Sequence, residues 1–390
     1  MLRAQLDHII AQVLDFQPET SDIHFAAFKK LQAEVHGKLM DVPLRPELGA
    51  LQPFQTEAVA FALMGQNMRL YRDLMERGSC DLAYSLTGRA RFRVNVFSQS
   101  GSLSIVMRQL SSQIPTIDQL KLPILFKDMS RERFGLILVT GATGSGKSTS
   151  LAALIDEIND TLPVHIVTLE DPVEYKHNHK KALINQRELG LDFDDFTSGL
   201  RAALRQAPKV ILVGEMRDRD TVEIALSAAE TGHLVLGTLH TADTGQTVNR
   251  VIGMFELAEE RLIRNRLAES LKYVVSQRLL QRVGGGRVAA FEILRKNLRI
   301  TELIVNGETE EKTFYKVLQT SDAYGMITFD QYIMGLYTKG LITEETAMLA
   351  GSDKAVLGQM IDKVKSARGE KVTDIEGLTI DEEYDATIKP

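Results

Sequence analysis

The chain contains a single cysteine, Cys80, in 390 residues. An intrachain disulfide is therefore impossible, as is every zinc site built on paired cysteines. There is no run of about 18 apolar residues of the kind that crosses a membrane. The opening "MLRAQLDHII" is interrupted by Gln5, Asp7 and His8, so no basic-then-apolar leader is read there and the chain is expected to be cytoplasmic. Positive charge is not in excess: 46 Lys and Arg stand against 52 Asp and Glu, a formal net charge of -6. That balance gives no general pull toward nucleic acid or anionic lipid, although it is compatible with a local basic patch. Aromatics make up only 6% of the residues, and no base-stacking platform is recognisable, which counts against a nucleic-acid translocase. Tandem repeats are absent.

What is present is the composition of a globular protein with ample core, 44% apolar and 25% charged, long enough for roughly two or three domains. In "RFRVNVF", Phe92, Val94 and Val96 alternate with Arg91, Arg93 and Asn95, the period-two signature of a half-buried strand. "SQSG" supplies turn residues before "SLSIVMRQL", so a hairpin is expected inside a small α+β domain over residues 1–113. Pro115 and Pro123 mark a linker, 114–124. From Phe134 short apolar runs alternate with helical patterns: "LILVT", "HIVTLED", "VILVGE" and "LVLGTLH". Continuous apolar strands separated by helices predict a largely parallel sheet covered on both faces. Leu151, Leu154, Ile155 and Ile158, and later Val222, Ala225, Leu226 and Ala229, carry the helical spacing, with Asp220 and Glu223 expected to form a capping box. The α/β core is placed at 125–295, a more polar helical region at 296–368, and an acidic, disordered tail at 369–390.

The segment "GATGSGKS" has an apolar strand pattern before it and an amphipathic helix pattern after it. It fits G-x-x-x-x-G-K-[ST] in the context that motif requires. Gly141, Ala142, Thr143, Gly144, Ser145 and Gly146 would turn backbone N–H groups around a phosphate chain at a helix N-terminus. Lys147 would reach the β and γ phosphates of a nucleoside triphosphate, Ser148 would ligate Mg2+, and Thr149 flanks it. A glycine-rich turn that binds nothing is the bland alternative.

Such a site needs acids. Glu215 falls at the carboxyl end of a buried strand, where ligands collect in open α/β sheets, and is the leading candidate for positioning and activating water. Glu170 and Asp171 end another strand at Pro172; they are either a solvated turn or an aid to Mg2+ or water. His233 and His240 stand at opposite ends of one predicted strand, too far apart to share a metal at about 3.3 Å per residue. His233 reads as structural, whereas His240, at the carboxyl end, suits a γ-phosphate-sensing or subunit-contact role. "HNH" at 177–179 lies in a polar basic loop and is a poor metal site. Phosphoryl transfer often employs an arginine from elsewhere. Arg91, Arg93 and Arg108 on the hairpin are candidates, against the plain reading of a solvated strand face. Arg217 and Arg219 read as salt-bridge partners near Glu215.

Taken together, "GATGSGKS", "TLEDPVEY", "VILVGEMRD" and "AAETGHLVLGTLHTAD" resemble the Walker A, Asp-box, Walker B and His-box motifs of the type II and type IV secretion ATPases. In detail they are most similar to the pilus retraction branch, PilT and its paralogue PilU. "SDIHF", "RFRVNVF", "INQRELG" and "GGGRVAAFEI" extend the likeness over residues 20 to about 345. The resemblance implies an α/β architecture: a PAS-like α+β N-terminal domain followed by a RecA-like P-loop ATPase domain with C-terminal helices, with ATP and Mg2+ between the domains. It implies a homohexamer that docks on an inner-membrane platform protein (PilC), with possible help from a paralogous pilus ATPase, and that drives pilus disassembly and twitching motility. It also implies that Glu215 is the catalytic glutamate, that Glu170 and Asp171 form the Asp box and His233 and His240 the His box, and that Arg91, Arg93 and Arg108 occupy positions that include the family's arginine fingers. The lone cysteine and short N-terminal region fit the retraction branch, since extension ATPases usually carry a four-cysteine zinc element. Three departures stand out: "RQAPKV", with Ala207 and Lys209 where the family has acids, "RITELIVNGE" in place of the retraction hallmark, and the acidic tail, which has no counterpart in the family pattern. The first two keep open an accessory, PilU-like ring with weak hydrolysis. A nucleic-acid translocase is the third reading.

Overall fold

The computed structural model describes residues 1–110 and 113–369. The expected acidic tail falls, from residue 370 on, outside them. The chain forms two compact units, each discontinuous in sequence. The first comprises Met1–Val139, Lys147–Leu239 and Val251–Tyr273; the second, Thr140–Gly146, His240–Arg250 and the chain from Val274.

The first unit begins with a helix, Arg3–Phe16, whose Leu6, Ile10 and Val13 are buried at helical spacing. Six strands follow: β1 (Thr20–Phe25), β2 (Gln32–Val35), β3 (Lys38–Asp41), β4 (Ser79–Leu86), β5 (Ala90–Gln99) and β6 (Ser102–Leu110). They make a sheet of order β3-β2-β1-β6-β5-β4, and every pairing is antiparallel. The expected hairpin is β5–β6, with Gln99 opposite Ser102. Its two turn residues, Ser100 and Gly101, both have positive φ, 47° and 75°, as the hairpin turn that matches strand twist requires. Phe92, Val94 and Val96 are fully buried, as their alternation predicted. Helices Pro53–Met64 and Met68–Arg77 add Val59, Ala60, Leu70 and Leu74 to the same core. Cys80 is buried there against Met64, and burial first, then Asp81 and Asp73, push its thiol up to about 11.

The second half of this unit is the α/β layer. Strands β7 (Gly135–Thr140), β8 (His165–Glu170), β9 (Leu183–Glu188), β10 (Val210–Val213) and β11 (Leu234–Leu239) run in the order β7-β11-β10-β8-β9. The pairs β10–β11, β10–β8 and β8–β9 are parallel. Every residue of β7, β10 and β11 is buried, which is why these strands read as continuous apolar runs. The helix Lys147–Thr161 buries Leu151, Leu154, Ile155 and Ile158 as expected. The helix Arg219–Glu230 buries Val222, Ala225, Leu226 and Ala229. Its cap differs from the expectation. Asp218, not Asp220, is the N-cap and accepts from the Thr221 amide and hydroxyl, both at 2.8 Å, because the helix starts one residue before Asp220.

In the second unit, β12 (Leu271–Gln281) and β13 (Arg287–Arg295) are neighbours. Helices Leu298–Asn306, Phe314–Gln319, Phe329–Thr338, Glu344–Ala350 and Lys354–Ala367 follow. A core of Leu280, Ala290, Phe329, Ile333, Leu357 and Ile361 holds strands and helices together.

Candidate nucleotide site

The glycine loop follows β7 directly. Gly141, Gly144 and Gly146 have φ of 139°, 79° and 90°, values that side chains with a Cβ rarely adopt. Space is equally restrictive at two of them. A Cβ on Gly141 would lie 2.3 Å from the Gln277 carbonyl oxygen and 2.7 Å from Ser145 Oγ, and one on Gly146 would lie 2.8 Å from Gln277 Nε2. The loop is thus pressed against β12, and Gln277, buried in mid-strand, is a contact that no motif signalled. Ser145 Oγ is buried without a hydrogen-bond partner within the chain. A buried hydroxyl of this kind suits a ligand acceptor. Just upstream, Thr140 Oγ1 and Ser276 Oγ share a hydrogen bond at 2.8 Å, and Thr247 donates to Thr140 at 3.3 Å.

Lys147 opens the helix Lys147–Thr161 and is buried. Burial lowers its pKa, opposed by the nearby carboxylates of Glu215 and Glu174. Ser148, Glu170, Asp171, Glu174, Tyr175 and Glu215 line one cleft. Tyr175 closes the helix side through a 3.0 Å hydroxyl contact with Thr149.

Glu215 is placed by backbone bonds on both sides. Gly214 N donates to Leu169 O at 2.7 Å and Met216 N to Thr238 O at 3.0 Å, while the Thr238 hydroxyl donates to the Gly214 carbonyl. Gly214 has to be glycine, because a Cβ would lie 2.8 Å from Leu169 O. The Glu215 carboxylate accepts from Arg217 Nη2 at 2.6 Å. Arg219 pairs instead with Glu259 at 2.6 Å.

Glu170 accepts from Thr168 Oγ1 at 2.6 Å and Gln186 Nε2 at 3.2 Å. Burial pushes it up to about 7, with Glu174 adding to the rise and the two hydrogen bonds and Arg91 opposing it. Burial thus favours the protonated form of this carboxyl well above the usual carboxylate range. Asp171 follows it on the cleft wall.

The hairpin arginines take three different places. Arg91 Nη2 lies 2.5 Å from Glu188 Oε2, an oxygen that also accepts from the Val173 amide at 3.1 Å. Arg93 lines a second cleft together with Asp171, Pro172 and Glu188. Arg108 is bound to Asp22 at 2.9 Å with its side chain largely exposed. Two of the three thus come within reach of the Asp-box segment. His233 is fixed structurally, its Nδ1 donating to the Ala228 carbonyl at 3.0 Å. His240 is exposed at the end of β11. In "HNH", His177 is buried 3.8 Å from Asp156 and His179 Nδ1 accepts from the Ile184 amide. Among the described residues no group of three or more His, Cys, Asp or Glu is arranged to hold a metal ion by itself, and none of their helices is long and apolar enough to cross a membrane.

Glu174, Tyr175 and Glu188 were not singled out as site residues by sequence reasoning. The first two lie within the quoted Asp-box segment, so proximity in sequence was their signal. Glu188 belongs to "INQRELG", on a strand, β9, that hydropathy did not reveal.

Comparison with known proteins bears on the family. The family model described as "Type II/IV secretion system protein" matches residues 2–322. The chain is 42% identical over 340 residues to the type IV pilus retraction ATPase PilT of Pseudomonas aeruginosa, spanning 87% of this chain and 96% of that one. It is 40% identical over 336 residues to the type IV pilus ATPase PilU of the same organism, spanning 86% of each. A crystal structure of the pilus retraction motor PilT with bound ADP superposes with a TM-score of 0.81 at 42% identity, covering 91% of this chain and 99% of that one. A glycine loop, a buried lysine and strand-end acids on a parallel sheet, within a match of this extent, lead to one assignment: the chain belongs to the type II/IV secretion ATPase family, among its PilT/PilU-type pilus ATPases.

Proposed function

We propose that this protein is a ring-forming ATPase, working as a homohexamer, that couples ATP hydrolysis to type IV pilus retraction. The observation that carries the reading is the convergence of Ser148, Glu170, Asp171, Glu174 and Glu215 on one cleft, with the buried Lys147 ammonium attracted by Glu215 and Glu174. Lys147 binds phosphate oxygens and neutralises their charge in a site where burial strengthens the interaction. The Glu215 carboxylate, at the end of its strand, accepts a proton from the attacking water. That water attacks the γ phosphorus, the bond to the β–γ bridging oxygen breaks, and ADP and phosphate leave. A hydroxyl and several carboxylates are hard oxygen donors of the kind Mg2+ selects. Ser148, with Glu170 or Asp171, would hold it, and the ion would supply neutralisation of phosphate charge.

Arg91 and Arg93 are proposed to meet charge on the transferring phosphoryl group from the hairpin, and His240 to sense the γ phosphate or contact a neighbouring subunit. Loss of the γ phosphate removes contacts that hold the closed state, and the resulting movement is passed round the ring. Its target is taken to be an inner-membrane platform protein of the PilC kind, with the ring at the cytoplasmic face. The experiment is steady-state phosphate release by the purified protein beside Lys147→Ala and Glu215→Gln, with mass measured by light scattering. Turnover in a six-subunit particle that both substitutions abolish supports a motor. A six-subunit particle that retains ATP without releasing phosphate would overturn it in favour of the accessory, PilU-like ring. Turnover stimulated by DNA would replace both readings with a translocase.

A further inference from the structure

The segment "GGGRVAAFEI" carries family likeness without a role, and its Glu292 has an unusual position. The side chain, on β13, is 4% exposed. Oε1 accepts from the Thr244 amide at 2.9 Å and the Thr244 hydroxyl at 2.8 Å; Oε2 accepts from the Phe329 amide at 3.3 Å. Thr244 is the first residue of the helix Thr244–Ile252, which begins four residues after His240, and Phe329 is the first residue of the helix Phe329–Thr338. The first amides of a helix have no partner inside it and carry its positive end. One carboxylate therefore serves two helix N-termini at once. Each helix has its own cap besides: Asp243 accepts from the Gln246 amide at 2.7 Å, and Thr328 caps the second. Glu292 is thus a tie between the helices rather than a substitute cap.

A second bridge runs beside it. Arg278, on β12, donates to the carbonyls of Ala242 at 3.4 Å and of Ala350, and its guanidinium lies 3.8 Å from the centre of the Phe329 ring. The helix so gripped is fixed within its own bundle: Asp330, fully buried, accepts from Tyr315 Oη at 2.9 Å, Ser352 N at 2.7 Å and Asp353 N at 3.0 Å. A displacement of the segment after His240 cannot leave the C-terminal helices where they are without breaking bonds to a buried carboxylate, which is costly.

We propose that Glu292 is a positioning residue that locks the segment following His240 to the C-terminal helices, so that the two move as one body during turnover. The turnover arm of this inference rests on the proposed ATPase function; the tie itself does not. Glu292→Gln is nearly isosteric but offers one acceptor oxygen in place of two, so it can serve only one of the helices. Thr244→Ala is the milder variant, removing one hydroxyl and leaving both amides served. Peptide-resolved hydrogen exchange and steady-state kinetics are measured on the full-length protein. In Glu292→Gln, exchange should rise about tenfold or more at the start of one of the two helices, with kcat falling about tenfold and KM for ATP changing less than threefold. Thr244→Ala should move the same quantities in the same direction by about threefold. Unchanged protection at both helix starts in either folded variant overturns the tie, as does a loss confined to KM. If Glu292→Gln does not fold, Thr244→Ala decides alone. Absence of turnover in the wild-type protein would count against the proposed function, leaving hydrogen exchange to support or overturn the tie.

Discussion

Glu170 is where the chemistry of a single residue is most open to measurement. Its carboxyl is raised from 4.5 to about 7, so the folded state binds more protons than the unfolded state between those values, and stability falls as pH rises through that window. The cost is absent below about pH 4.5 and complete above about pH 7, amounting to at most about 3 kcal/mol. Urea titrations at pH 5 and pH 8 should therefore show a smaller loss on going to pH 8 in Glu170→Gln than in the wild type. An equal loss in both would mean that the carboxyl titrates normally. Lys147→Ala should lower kcat by about 100-fold or more, and Glu215→Gln by about 100- to 10,000-fold, in single-turnover phosphate release. These two residues were readable from sequence because a motif with rigid spacing and a strand end each fix a position. Arg91 was readable only as one of three candidates, since its partner Glu188 lies 97 residues away and no local pattern joins them.

Among elements, the buried strands were the most legible. β7, β10 and β11 are enclosed entirely, and enclosure leaves an apolar run. β12 escaped notice for the converse reason. Ser276 and Gln277 interrupt its hydropathy yet are buried, and the Ser276 hydroxyl is satisfied by Thr140. A polar residue made acceptable by a distant partner looks, in sequence, like a surface position. The cap of the helix Arg219–Glu230 was misplaced by two residues because "DRD" offers two aspartates and only the backbone decides between them. Asp218→Ala should cost about 1 kcal/mol by chemical denaturation, whereas Asp220→Ala should cost a few tenths at most. Gly141→Ala combines a forbidden φ with a 2.3 Å approach to Gln277 O. It is expected to destabilise by about 2 kcal/mol or more and to abolish nucleotide binding in a fluorescence titration.

For the whole molecule, sequence reading gave the α+β sheet followed by an α/β layer with C-terminal helices, and the family that this order belongs to. It did not anticipate that the glycine loop and the segment after His240 belong to one compact unit with the C-terminal helices, while Lys147 and the strand-end acids belong to the other. Compactness is a property of contacts far apart in the chain, and "GATGSGKS" reads as one continuous motif however its contacts divide. The proposed motor is testable at this scale: nucleotide should protect the peptide that begins with Lys147 from hydrogen exchange, and Lys147→Ala should remove that protection.

Cys80, buried in the N-terminal core with its thiol pushed up to about 11, is expected to react slowly with maleimides at neutral pH, where labelling needs an exposed thiolate. Cysteines introduced at the exposed positions Met75 and Leu349, 85% and 74% accessible, could then be labelled with little background. One dye on each unit would let single molecules be watched through successive rounds of ATP turnover in an otherwise wild-type chain.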